Sequence, residues 1–173
     1  MKSHLAVPLL FLLQISTVSA AQRPDPAHTL FQATSLKGIN EMSVSINVEG
    51  ISDIPESTYR ADVERRLNAA GIKVLPQTAN PRTYPCLSLD VDAGFIRAKN
   101  ESLLGTFYTW HLMFWQLIPQ KIGSQTVYIR GATWMESGWN WGSLMTIVSA
   151  LHADYIGGVD EFVNDYKKVN VSH

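Results

Sequence analysis

Apolar and polar side chains alternate strictly over two stretches of the sequence, residues 41–48 and residues 87–92. A period of two places successive side chains on opposite faces of a sheet, so each stretch predicts a strand with one buried face. The apolar positions are Met42, Val44, Ile46 and Val48 in the first stretch and Leu87, Leu89 and Val91 in the second.

Two other stretches carry apolar side chains at spacings of three and four, which is the period of an amphipathic helix. The first covers residues 56–70 and is followed by Gly71, which can take the left-handed conformation that closes a helix. The second covers residues 144–169. The pair Gly157-Gly158 weakens its middle by about 1 kcal/mol per glycine relative to alanine, so we expect a kink or a break there.

Residues 103–118 and 126–134 are rich in aromatic and β-branched side chains, which favour strands. Residues 119–125 between them are a predicted loop, and residues 135–142 are a second predicted loop before the last helix. A short strand at residues 73–75 completes a β-α-β unit with the first strand and helix. The expected order, β-α-β-β-β-β-α, predicts an α+β fold in which two amphipathic helices pack on one face of a mixed, mostly antiparallel sheet.

Residues 1–20 have the order of a cleavable secretory signal peptide: a charged Lys2, an apolar run over residues 5–18, and small residues just before the cut. The run is shorter than the roughly 20 residues of a membrane-spanning helix. We therefore predict a periplasmic or secreted protein with no integral membrane segment after cleavage. Residues 21–36 are polar and contain proline, which predicts a flexible lead-in, and residues 37–173 then form a single domain.

Loss of residues 1–20 removes one lysine and no acid, which leaves 13 of the 14 basic side chains and all 15 acidic ones, a formal charge of −2. No basic cluster stands out, so nucleic acid is not an expected partner. Cys86 is the only cysteine, which excludes an intramolecular disulfide. Histidine, cysteine and carboxylate residues lack the short paired spacings of a metal site, so we expect no metal and no cofactor.

Two pairs of residues could carry chemistry. Cys86 and His111 could act as nucleophile and base, although a cysteine where a strand enters the core usually behaves as a small apolar side chain. Asp90 and Asp92 share one strand face and could serve as paired carboxylates or as a calcium site, although this pattern is typical of the wet side of a strand. These interpretations favour a non-catalytic protein over an enzyme.

Five tryptophans are the candidate binding residues. Trp110 and Trp115 are an odd number of positions apart and so fall on opposite faces of their predicted strand, both of which are largely apolar. The helices can cover only one face; the other is covered by a loop, by the lead-in or by a curled sheet, or it is an interface. Trp134, Trp139 and Trp141 cluster at the predicted loop, where tryptophan can close the core or stack on a sugar or a protein.

Three segments carry a resemblance: residues 36–39 (LKGI) before the first strand, residues 67–72 (LNAAGI) where the first helix ends, and residues 159–166 (VDEFVNDY) in the last helix. They resemble a family of small exported bacterial proteins without assigned activity. The layout also looks like the amino-terminal domain of the periplasmic protein TolB and related envelope domains that bind other proteins. The resemblance implies a periplasmic accessory protein, and because its motifs are structural it assigns no functional residue.

Two functional hypotheses follow. The first is a non-catalytic accessory domain of the bacterial cell envelope that binds another envelope protein, or a second copy of itself, through a sheet face or edge. The second is a binder of a small ligand or carbohydrate, or a hydrolase, that uses the tryptophan-rich loop at residues 134–141 with His111, Asp90 and Asp92 as polar groups. A flat apolar face would favour the first hypothesis, and polar side chains converging on a pocket would favour the second.

Overall fold

A computed structural model describes residues 26–50, 55–80 and 83–170; the predicted signal peptide at residues 1–20 lies outside this part. The strands are β1 (Glu41–Glu49), β2 (Lys73–Val74), β3 (Cys86–Arg97), β4 (Leu103–Ile122) and β5 (Gln125–Gly142). The helices are α1 (Pro26–Ser35), α2 (Glu56–Ala69) and α3 (Leu144–Asn170). The strands form one sheet in the order β2-β1-β3-β4-β5, which confirms the predicted α+β class.

The strand pairing agrees with the predicted mixed sheet. β1 runs parallel to both β2 and β3, with Val44 opposite Leu87. β3 pairs with β4, and β4 with β5, in the antiparallel sense. β1, α2 and β2 therefore form the predicted β-α-β unit, and the longest pairings of the sheet are antiparallel.

The core lies between the sheet and the three helices, of which α3 contacts both α1 and α2. At its centre the ring of Phe162 lies 5.6 Å from the ring of Phe114 and 5.1 Å from that of Trp134, between centroids. Tyr59 of α2 and Tyr155 of α3 join the two helices, with ring centroids 5.0 Å apart. The alternating positions of the strands supply the other side of this core; they include Met42, Val44, Ile46, Leu87, Leu89, Val91, Tyr108, Trp110 and Leu112.

The predicted flexible lead-in at residues 21–36 is wrong for most of its length. Residues 26–35 form α1, whereas residues 21–25 lie outside the described part of the chain. Ala33 and Leu36 are buried against the domain. Short helices owe most of their stability to such packing rather than to intrinsic propensity, which is why composition alone indicated a loop.

α1 also bonds to the edge strand β5. The side-chain amide of Gln32 donates a hydrogen bond to the backbone oxygen of Met135 at 2.9 Å, and the Ser35 hydroxyl donates one to the backbone oxygen of Thr133 at 3.2 Å. An edge strand has no further strand to satisfy its outer backbone groups. α1 therefore covers part of this edge.

The two predicted loops, residues 119–125 and 135–142, are also wrong. β4 and β5 pair with each other through nearly all of both segments and leave only a tight turn at Gly123 and Ser124. Gly123 has a φ of 61°, a turn conformation that glycine adopts at little cost. The expected kink in the last helix is absent as well, because α3 is continuous from Leu144 to Asn170.

Candidate functional site

The sheet has one face that packs on the helices and a second face, named here the open face, that no helix of the described residues covers. Trp110 lies on the helix side, 4% exposed, and Trp115 lies half-buried on the open face. The prediction that these two tryptophans fall on opposite faces is confirmed. The largely apolar face of β4 that the helices leave uncovered is therefore the face that carries Trp115.

One end of the open face is aromatic. Phe107 of β4 is opposite Trp141 of β5, and Thr109 in the next row is opposite Trp139. Trp139 is 73% exposed and Trp141 is 55% exposed. Because cross-strand neighbours share a face, the half-buried Phe107 and the exposed Trp139 and Trp141 form a continuous aromatic group, named here the aromatic end.

The neighbouring strands add carboxylates to the same face. Glu49 of β1 lies in register with Asp92 of β3, and Asp92 in turn lies in register with Thr109. Asp90, one row away, is opposite His111. No ion pair joins Glu49, Asp90 or Asp92 to a basic side chain within residues 26–50, 55–80 and 83–170.

The predicted nucleophile and base do not meet. Cys86 is 1% exposed and lies opposite Trp115, whereas His111 lies opposite Asp90. The two positions are four residues apart along the strands, which is roughly 13 Å. Cys86 is therefore a small buried side chain, and only Asp90 and His111 are brought together.

Trp115 closes the other end of the open face. Its indole nitrogen donates a hydrogen bond to the Ser88 hydroxyl at 3.1 Å, and the Arg130 guanidinium lies 5.5 Å from the centroid of its ring. A guanidinium over an aromatic face is an attractive arrangement. These contacts hold Trp115 in place, so it is a poorer candidate for a partner contact than Trp139 or Trp141.

Beyond Trp115 the β4–β5 hairpin leaves the sheet. The pairing of β3 ends at Cys86 opposite Trp115, whereas β4 and β5 remain paired to their turn. Residues 117–130 therefore form a two-stranded projection, named here the arm. Its exposed apolar side chains are Leu117 (44%), Ile122 (64%), Tyr128 (67%) and Ile129 (50%).

The arm was not predicted from the sequence, because Pro119 and Gly123 are typical of a loop. Pro119 is opposite Tyr128 in β5, at a level where β3 has ended and the outer side of β4 is free. Proline is tolerated at such an edge position because no further strand needs its missing N–H. Residues 126–130 of the arm already belong to the predicted strand at residues 126–134, so the missed part of the arm is residues 119–122 of β4.

The tryptophan-rich loop at residues 134–141 does not exist as predicted. These residues belong to β5, and Trp134 lies in the core, 1% exposed, where its indole nitrogen donates a hydrogen bond to an Asp165 carboxylate oxygen at 3.0 Å. Trp139 and Trp141 are exposed near the far end of the strand. The three tryptophans thus do not form one binding loop.

A cleft of about 440 Å³ lies between β5 and α3. It is lined by Trp110, Glu136, Gly138, Trp139, Asp154, Gly157, Gly158 and Glu161. Partial burial, together with repulsion from Glu161 and Asp165, raises the pKa of Glu136. Asp154 accepts a hydrogen bond from Tyr108 at 2.5 Å.

Within residues 26–50, 55–80 and 83–170, no group of three or more histidine, cysteine or carboxylate side chains is placed to hold a metal ion. The indole nitrogen of Trp110 is buried in the cleft without a hydrogen-bond partner. An added side-chain carbon on Gly138 would lie 2.6 Å from that nitrogen, so the N–H is covered by the backbone of β5. No local sequence pattern indicates this cleft, because α3 and β5 form it together.

No protein-family profile and no curated protein matches the sequence. Among solved structures, a PelC dodecamer from Paraburkholderia phytofirmans is 14% identical, with 73% of this chain and 88% of that chain covered and a TM-score of 0.38. Rare lipoprotein B from Shewanella oneidensis is 10% identical, with 73% and 91% covered and a TM-score of 0.27. A minor lipoprotein from Acinetobacter baumannii is 7% identical, with 77% and 89% covered and a TM-score of 0.28.

Identities and TM-scores this low carry no inference about the activity or partners of this chain. The resemblance to the TolB amino-terminal domain stays a prediction. None of the helices in the described part of the chain combines the length and the apolar content needed to cross a membrane.

Proposed function

We propose that the protein is an exported, non-catalytic accessory domain of the bacterial cell envelope that binds a protein through the open face and the arm. The observation that carries the proposal is the open face itself, which no helix of the described residues covers and on which Trp139 is 73% and Trp141 55% exposed. Contiguous exposed apolar groups mark interaction sites. Tryptophan is also enriched among the residues that dominate binding energy.

The arm supports the same function. A two-stranded hairpin without a third strand or a helix beneath it is only marginally stable in water. Residues 117–130 nevertheless expose Ile122, Tyr128 and Ile129 to solvent by half or more. Burial of these side chains against a partner would stabilise the arm and the complex together.

The alternative functions have weaker geometric support. A hydrolase would need its nucleophile beside a base, and Cys86 and His111 are separated by four positions along the sheet. A carbohydrate site in the tryptophan-rich segment would need its rings together, and Trp134 is a core residue. The envelope location in the proposal depends on the predicted signal peptide at residues 1–20.

Site-specific photo-crosslinking in the native host tests the proposal. A photoreactive phenylalanine replaces Trp139 or Trp141 at the aromatic end, or Tyr128 in the arm. The matched control is the same substitution at Ala61, an exposed position of α2 on the helix side of the molecule. We expect one discrete protein adduct from the three test positions and none from Ala61.

The identity of the adduct is read by mass spectrometry. A protein adduct that forms at the test positions in the envelope fraction supports a binding domain, whether the captured chain is another protein or a second copy. Absence of any adduct at all three positions, with normal amounts of protein in the envelope, would contradict the proposal. Equal crosslinking from Ala61 would show that the open face has no special role.

A further inference from the structure

The arm is cationic on the side that continues the open face. Residues 117–130 contain Lys121 and Arg130 and no acidic residue. In the register of the hairpin Lys121 is opposite Thr126, and Leu117 is opposite Arg130. Strand alternation places these positions, with Tyr128, on the side of Trp115. This side of the arm therefore combines positive charge with an exposed aromatic ring.

The part of the open face beside the aromatic end carries the opposite charge. Glu49 and Asp92 lie directly opposite each other in neighbouring strands, and Asp90 lies one row away. Like charges in such cross-strand positions are mutually destabilising. A cation supplied from outside the molecule would relieve this repulsion beside the exposed rings of Trp139 and Trp141.

The two surfaces cannot meet within one molecule. Lys121 and Thr109, the β4 residue beside Asp92, are twelve positions apart along the same strand. At a rise of about 3.4 Å per residue, that separation is roughly 40 Å. An arm can therefore reach the aromatic end only on another chain.

We propose that the open face binds the arm of a second copy of this chain, an inference that rests on the proposed function above. Lys121 and Tyr128 of one copy lie against Asp92, Glu49 and Trp139 of the next. Arm-to-arm or face-to-face contact would bring like charges together, which costs affinity. The contact thus joins two different surfaces, the arm of one chain and the open face of the next. Repeated from chain to chain, such contacts build a ring if the last chain meets the first, and a filament if it does not.

Complementation between two defective variants tests this arrangement. The arm variant carries Lys121→Glu and Tyr128→Asp; the face variant carries Asp92→Asn and Trp139→Ser. All four side chains are exposed, so each variant should keep the thermal midpoint of the wild-type protein. Molar mass is measured by light scattering after size exclusion over a series of concentrations of the mature protein, with Ala61→Glu as the control.

We expect the wild type and the control to associate and each double variant to run as a single chain. An equimolar mixture should give a two-chain complex and nothing larger, because the intact arm of one variant meets the intact face of the other. Added salt should weaken the wild-type association, since exposed charges are screened.

Two results would overturn the inference. A wild-type chain that stays monomeric at every concentration excludes self-association, and a mixture that fails to form the two-chain complex excludes the arm-to-face contact. In either case a crosslink from Trp139 to a different envelope protein would leave the proposed function standing. Loss of that crosslink as well would contradict both the proposed function and the arm-to-face contact.

Discussion

Trp110 of β4 lies directly against Gly158 of α3, so closely that a side-chain carbon added to Gly158 would be 2.7 Å from a ring carbon of the indole. On its other edge the indole meets Gly138 of β5, where an added carbon would lie 2.6 Å from the indole nitrogen. The two glycines form a slot for the indole of Trp110. This slot explains why α3 tolerates a glycine in a buried position.

Gly158→Ala should destabilise the protein, and Gly157→Ala should stabilise it. Alanine favours a helix over glycine by about 1 kcal/mol, and at Gly157 no atom lies within 4 Å of the added carbon. At Gly158 the added carbon would lie 2.7 Å from a ring carbon of Trp110, too close without a shift of the indole, so we expect a net loss of about 1–3 kcal/mol from overpacking. Urea denaturation of both variants measures the difference, and a stabilised Gly158→Ala would contradict the slot.

Asp62 of α2 should stabilise the fold in a pH-dependent way. Burial alone would raise its pKa, but hydrogen bonds from His152, Tyr155 and Arg65 outweigh that effect and hold the pKa below its usual value. Because its pKa is lower in the folded state, Asp62 stabilises the fold at pH values above the pKa of aspartate in the unfolded chain, about 3.9. This stabilisation is lost as the pH falls through the pKa of Asp62 in the folded protein.

Asp62→Asn should therefore lower the free energy of unfolding by about 1 kcal/mol at neutral pH, with a smaller difference at pH 4 and below. Denaturation of both proteins between pH 3 and about pH 7 provides the test. The control is Asp92→Asn on the open face, which should change stability by no more than about 0.5 kcal/mol. A constant deficit at every pH would show that Asp62 acts by packing alone.

The fold should need neither a metal ion nor a disulfide. Cys86 is buried and free, and the described residues form no cluster of metal-binding side chains. Thermal melts with and without a chelator, and with and without a reductant, should therefore coincide. A large fall in the midpoint with chelator would reveal a metal site, and a fall with reductant would reveal an intermolecular disulfide.

The predicted signal peptide determines where the mature chain should begin. If residues 1–20 are a signal peptide, the protein isolated from its own host begins at Ala21 or within a few residues of it. Amino-terminal sequencing decides the question directly. A mature product that retains Met1 would remove the export prediction and, with it, the envelope location in the proposed function.

The sequence by itself determined the helices and strands whose apolar residues recur with a strong period. It also determined the direction in which their side chains point. The alternation in β1 and β3 predicted which side of each strand is buried, and the odd spacing of Trp110 and Trp115 placed them on opposite faces. These inferences succeed because side-chain direction in a strand depends only on the backbone of that strand.

Tertiary structure decided the rest. Whether β4 ends at Ile118 or continues to Ile122 depends on hydrogen bonds from β5, and α1 exists because Ala33 and Leu36 find a surface to pack on. Such contacts join residues distant in sequence, so no local pattern reports them. The same holds for the candidate interface: strand alternation separates Trp110 from Trp115, but only the position of the helices leaves the face of Trp115 open.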